Sequence, residues 1–178
     1  MKTTYMIATT VALLIWLPLA AHSSNYNSSE HAGLLHELQT DSNQYWLEED
    51  VHIAYTVTNI TGDPIVVGWS WCCSPLQLRI YDPEETILWA DPNSCPDEAC
   101  IDTLAAGGFY SRSAVWDMRD LPYGELVDPG TYRIRGHLKT FFPELAHDLS
   151  VYIDILDPAT AIPDDADRTW SFIKALYQ

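Results

Sequence analysis

The chain has 178 residues, 47% of them apolar, and sets nine basic side chains against 25 acidic ones for a formal charge of −16. That length holds one domain with a core of its own. The charge argues against DNA, RNA or an anionic membrane as a partner, because each requires a basic footprint.

Residues 1–23 read as a secretory signal. Lys2 supplies the positive start and residues 7–17 an apolar run too short to span a bilayer comfortably. Leu19-Ala20-Ala21 or Ala21-His22-Ser23 supplies the small-residue exit. No cysteine lies near that exit to carry a lipid anchor. The expected location is therefore secreted, periplasmic or cell-surface, with no membrane insertion after cleavage. What remains carries eight basic and 25 acidic residues, a charge of −17.

Residues 24–32, rich in Ser and Asn, read as a flexible lead-in. Residues 33–39 read either as a first strand or as one helical turn, since Leu34, His36 and Leu38 alternate but Leu35 breaks the pattern. A short extended piece at 45–47 runs into the turn Glu48-Glu49-Asp50. Residues 51–59 then alternate strictly, with Val51, Ile53, Tyr55 and Val57 on one face and His52, Ala54, Thr56 and Thr58 on the other. Side chains on a strand change face with a period of two, so this is a half-buried strand. The turn Ile60-Thr61-Gly62-Asp63-Pro64 leads into a β-branched run at 65–67.

Leu76, Leu78 and Ile80 alternate with Gln77 and Arg79, and Asp82-Pro83-Glu84-Glu85 turns the chain into 87–90, which makes a hairpin. Residues 91–108 form a long irregular connection. Strands follow at 109–116, at 131–140 after the turn Asp128-Pro129-Gly130, and at 149–155. Tyr132, Ile134 and Leu138 share one face of the second of these, and Leu149, Val151, Ile153 and Ile155 one face of the third. The acidic tail, 157–178, is punctuated by proline and ends in a short helix over 168–177. Seven or eight short strands without a long helix predict an all-β, antiparallel two-sheet sandwich, with a closed barrel as the alternative.

Cys72, Cys73, Cys95 and Cys100 are even in number, which in an exported chain reads as two disulfides. The adjacent pair Cys72 and Cys73 point to opposite sides of an extended backbone and do not pair with each other. Two arrangements remain: Cys72–Cys95 with Cys73–Cys100, or Cys72–Cys100 with Cys73–Cys95. Each closes loops of roughly 25 residues, worth on the order of 3 kcal/mol apiece in the chain-entropy model. A four-thiolate zinc site prefers two spaced Cys pairs, and the adjacent pair argues against it.

The segment Gly68-Trp69-Ser70-Trp71-Cys72-Cys73, if extended, places Trp69, Trp71 and Cys73 on one face. That face is either an aromatic binding platform or, as preferred here, a core face packed on a disulfide. The loop carrying Asp91, Asn93, Asp97 and Glu98 is the first candidate for a partner contact, because a tied loop loses less entropy on binding. Its oxygen spacing, extended to Asp102, faintly suits calcium, but Pro96 stands where the glycine of such a loop belongs.

Arg133, Arg135, His137 and Lys139 line the solvent face of one strand. They form either a docking stripe or, preferably, cross-strand pairs with Asp148 and Asp154. The histidines are scattered, His31 and His36 being near each other in sequence, and no helix-spaced metal motif occurs. No nucleophile elbow, P-loop or dinucleotide fingerprint is present. Asn27-Ser28-Ser29 and Asn59-Ile60-Thr61 fit the glycosylation sequon, although Asn59 also suits a role in its turn.

Several pieces in order resemble the BsuPI-type proteinase inhibitor family. They are Tyr45 with the acidic turn before Val51, the Tyr55-Thr56-Val57-Thr58-Asn59 run, and Asp63-Pro64-Ile65. Leu78-Arg79-Ile80-Tyr81-Asp82, Ile87-Leu88-Trp89 and Asp128-Pro129-Gly130-Thr131-Tyr132 complete the set. The resemblance covers roughly 34–156 and defines a domain at 33–156. It implies an immunoglobulin-like sandwich that inhibits serine proteinases, and it assigns no reactive-site residue. This chain departs from the family in its export signal, its cysteines, and Leu47-Glu48-Glu49-Asp50 in place of the usual glycine turn.

The expected function is an exported protein-binding module, monomeric and without catalytic residues, cofactor or metal, whose partner is a serine protease. The alternative is a non-inhibitory adhesion or accessory module.

Overall fold

The computed structural model describes residues 24–70, 74–91, 98–121 and 123–158. Among these, every regular element is a strand and none is a helix. Strands β1 (Asn25–His31), β2 (Leu34–Thr40), β3 (Gln44–Trp46) and β4 (Val51–Asn59) open the chain. Strands β5 (Ile65–Ser70), β6 (Leu76–Tyr81), β7 (Ile87–Ala90) and β8 (Ala99–Leu104) follow. Strands β9 (Phe109–Trp116), β10 (Gly130–Leu138) and β11 (His147–Leu156) close it.

One sheet runs β1-β2-β4-β9 and a second β3-β11-β10-β6-β7, while β5 and β8 form a separate two-stranded ribbon. All pairings are antiparallel except the short contact of β3 with β11. The two larger sheets enclose one core, so the chain is a β-sandwich. From the first sheet come Leu34, Leu38, Val51, Ile53, Tyr55 and Val57; from the second, Leu78, Ile80, Ile134, Val151 and Ile153. These are the positions that the alternation in β4, β6, β10 and β11 assigns inward. Across the core the Tyr55 ring lies over Gly136, a place where a β-carbon would stand 2.8 Å from the ring.

Two stretches differ from expectation. The lead-in at 24–32 is not a loose segment: it forms β1, paired along its length with β2. The hairpin closes through Ala32 and Gly33, with φ of 49° and 79°. Positive φ at both central positions matches the right-handed twist of the flanking strands, so the turn imposes the pairing on a polar sequence. The connection at 91–108 likewise contains β8, whose Ala99 and Asp102 weaken its strand signal until β5 pairs with it. Both stretches thus add a strand where none was expected. Residues 33–39 resolve as strand β2. The signal at 1–23 and the helix at 168–177 lie outside the described residues.

Candidate functional site

The expected contact region centres on the β5–β8 ribbon. In its register Trp69 faces Cys100, Gly68 faces Ile101 and Val66 faces Thr103. Ile65, Val67, Trp69, Cys100 and Leu104 thus share the inner side. Val67 and Trp69 are buried, the Trp69 ring meeting Tyr110 of β9 edge-on at 6.0 Å. Trp69 is therefore a core residue and no binding platform; Trp71 lies outside the described residues. The other side of the ribbon carries Val66, Gly68 and Ile101.

The turn between β10 and β11 docks on that outer side. The backbone N–H of Phe141 (3.0 Å) and the Thr140 hydroxyl (2.8 Å) both donate to the Gly68 carbonyl. The Phe141 ring covers Gly68 so closely that a β-carbon there would sit 2.2 Å from it. Ile101 (69% exposed), Val66 (49%) and Phe141 (45%) are left facing solvent around this point. Soluble surfaces carry single apolar side chains routinely, but two on one ribbon with a third on the turn docked against it are a candidate contact. Sequence reasoning missed them, since Phe141 is far from β5 and β8 in the chain. The available signal was the alternation of Cys100, Asp102 and Leu104 against Ile101 and Thr103.

The acidic residues expected to make the contact divide. Asp91 is withdrawn from it: its carboxylate pairs with the Arg112 guanidinium of β9, and its side chain is 9% exposed. The carboxylate holds the Arg112 guanidinium above its ordinary pKa, outweighing the opposing effect of burial. Asp91 thus fastens the end of β7 to β9. Glu98 is exposed at the start of β8. Asn93 and Asp97 lie outside the described residues, as do Cys72, Cys73 and Cys95. Cys100 is not a free thiol. Asp102, the far end of the calcium-like spacing, accepts from the Tyr110 hydroxyl at 3.0 Å and from the Thr103 N–H at 2.7 Å. Burial and this carboxylate both push the Tyr110 phenol above its ordinary range. Among the described residues no group of three metal-ligating side chains could hold an ion.

Arg133, Arg135 and His137 of the basic stripe on β10 are taken up by pairing. Arg135 forms an ion pair with Asp148, and His137 Nδ1 lies 2.6 Å from the same carboxylate. Arg133 pairs with Glu85 and stacks over the Tyr81 ring, 4.3 Å from its centroid. Asp154 accepts from Thr131 (2.7 Å) rather than from a cation. Asn59 is fully buried, its amide donating to the carbonyls of Asp63, Leu104 and Ala105 at 2.9–3.1 Å. It serves the turn, and no folded chain can present it to a glycosyltransferase.

The histidines are less scattered than their sequence positions. His31, His36 and His147 meet at one side of the sandwich, the His147 ring within 4.8 Å of the other two. Burial first, then the neighbouring imidazoles, lower the His36 pKa to about 4. Burial and His31 also lower His147, against the opposing pull of Asp148.

No family model and no curated protein matches this chain. Among solved structures it is similar to the β-glucosidase EmGH1 from Erythrobacter marinus, at 16% identity and a TM-score of 0.41. That likeness covers 76% of this chain and 16% of the glucosidase. The β-glucosidase from Listeria innocua in complex with glucose gives 17% identity and a TM-score of 0.38, over 72% of this chain and 16% of that one. This chain therefore spans about one sixth of either glucosidase. The CARDB domain of the PF1109 protein from Pyrococcus furiosus, in complex with di-metal ions, gives 11% identity and a TM-score of 0.41. It is matched over 69% of this chain and 87% of its own length. None of these likenesses bears on what this chain does.

Proposed function

We propose that this chain is an exported, monomeric, immunoglobulin-like sandwich that binds a protein, and that the partner is a serine protease it inhibits. The observation that carries the reading is the exposure of Ile101 and Val66 on the β5–β8 ribbon and of Phe141 on the turn docked against it. Apolar side chains held on a rigid ribbon reach a partner with little further ordering, which is how pre-organised contacts gain affinity. A disulfide from Cys100 to Cys72 or Cys73 would complete that rigidity. The residues that resemble the BsuPI-type family fall mostly on β3, β4, β6, β7, β10 and their turns and reach the ribbon only at Ile65, so the resemblance speaks chiefly for the sandwich.

The test is a titration of the oxidised chain against a panel of serine proteases, run beside Ile101→Ser. Saturating inhibition near one-to-one, weakened more than about tenfold by Ile101→Ser without a change in thermal stability, is the expected result. Inhibition insensitive to that substitution would move the contact off the ribbon. No inhibition by any protease in the panel would leave the accessory or adhesion module as the reading.

A further inference from the structure

Strand β1 does more than extend its sheet. It closes one side of the sandwich against β11, and the bonds across this seam are made by side chains. The Asn25 and Asn27 amides donate to the carbonyls of Tyr152 and Ser150 of β11, the second at 2.8 Å. At the far end of β1 the seam changes chemistry. His31 stacks on His147 with centroids 4.8 Å apart and planes 15° from parallel, and His36 of β2 tilts against the same ring at 4.7 Å.

Burial and His31 outweigh the pull of Asp148 on His147, so this stack disfavours charge. His36 is fully buried; its Nδ1 lies 2.8 Å from the Tyr55 hydroxyl and its Nε2 has no partner. The Nε2 of His147 is buried and unpartnered as well. Among the described residues no carboxylate hydrogen-bonds to any of the three rings. On β11, Asp148 projects to the opposite face, where Arg135 and His137 of β10 hold it. On β2, Glu37 accepts from the Tyr26 hydroxyl of β1 at 2.9 Å, and Glu30 of β1 is exposed. From β4 the stack meets only the neutral Tyr55. Three imidazoles this close, with unsolvated nitrogens between them, tolerate protons poorly, and each proton taken up opposes the next.

We propose that the His31–His147–His36 stack is an acid-released latch: it holds β1 on β11 while neutral, and its protonation frees β1 and uncovers the β11 edge between Asp148 and Tyr152. The lowered pKa values of His36 and His147 agree in sign, since the closed seam prefers neutral rings. With the asparagine amides withdrawn, the carbonyls of Ser150 and Tyr152 lose these donors and open to solvent.

Hydrogen exchange of the intact chain from pH 7.5 to 4.5, corrected for intrinsic rates, tests this. The expected result is that β1 amides lose at least tenfold of their protection relative to the β6–β10 ladder between pH 6.5 and 5. The variant with both His31→Gln and His147→Gln should lose that pH dependence. Constant β1 protection, or the same fall in the double variant, would overturn the latch. An imidazole proton titration of the unmodified chain gives an independent readout. Transitions of all three rings near pH 6.5 would also refute it, whereas a depressed transition coincident with β1 exchange supports it.

Discussion

Acidifying the solution from pH 7.5 to 4 should cost this fold stability, and the buried His36 supplies a definite share of that cost. The His36 pKa falls from 6.5 in the open chain to about 4 in the sandwich, first through burial and then through His147 and His31. A depressed histidine means that the unfolded chain binds the proton more tightly. The stabilisation is therefore complete above pH 6.5 and is lost as the pH falls toward 4. Integrating that single shift gives a loss of about 2 kcal/mol by pH 5 and about 3 kcal/mol by pH 4. Asp148 acts in a separate window. Burial raises its carboxyl pKa, but Arg135 and His137 outweigh it and hold it below 3.8, so its contribution fades only at lower pH. Urea unfolding at half-unit pH steps measures the slope directly. A stability that changes by less than about 0.3 kcal/mol per pH unit between 6.5 and 5 would refute the assignment of a neutral, buried His36.

Two further substitutions probe the packing that positions these sites. Gly136→Ala places a β-carbon 2.8 Å from the buried Tyr55 ring, an overpacking that should cost about 1–3 kcal/mol and lower the melting temperature by several degrees. Combining it with Tyr55→Leu should give less destabilisation than the sum of the two changes; strict additivity would contradict the contact. Asn59→Ala strips donors from the carbonyls of Asp63, Leu104 and Ala105, and an acceptor from the Thr61 N–H and hydroxyl. With those groups in a buried turn, chemical denaturation should register a loss of about 2–4 kcal/mol, and a near-neutral result would mean that water replaces the amide.

Strands β4, β10 and β11 were legible because each has one wet face and one buried face, and that contrast is written as strict alternation. Strand β1 was not, because Asn25, Asn27, Ser28, Ser29 and Glu30 carry no apolar periodicity at all. Its conformation is set by the Ala32-Gly33 turn and by β2. Asp91 was misread for a related reason. A carboxylate in a proline-containing loop looks solvated until Arg112, on a strand paired elsewhere, is seen to reach it.

The sequence by itself determined that the domain at 33–156 is built of strands and which residues of the central strands face the core. Those properties are local or additive, and they survive in any arrangement of the strands. Only the tertiary structure decided that His147 meets His31 and His36, that Phe141 covers Gly68 beside Ile101, and that the cations of β10 are already paired. Each of these joins residues distant in the chain, and such contacts depend on strand order and register, which alternation within a single strand does not encode.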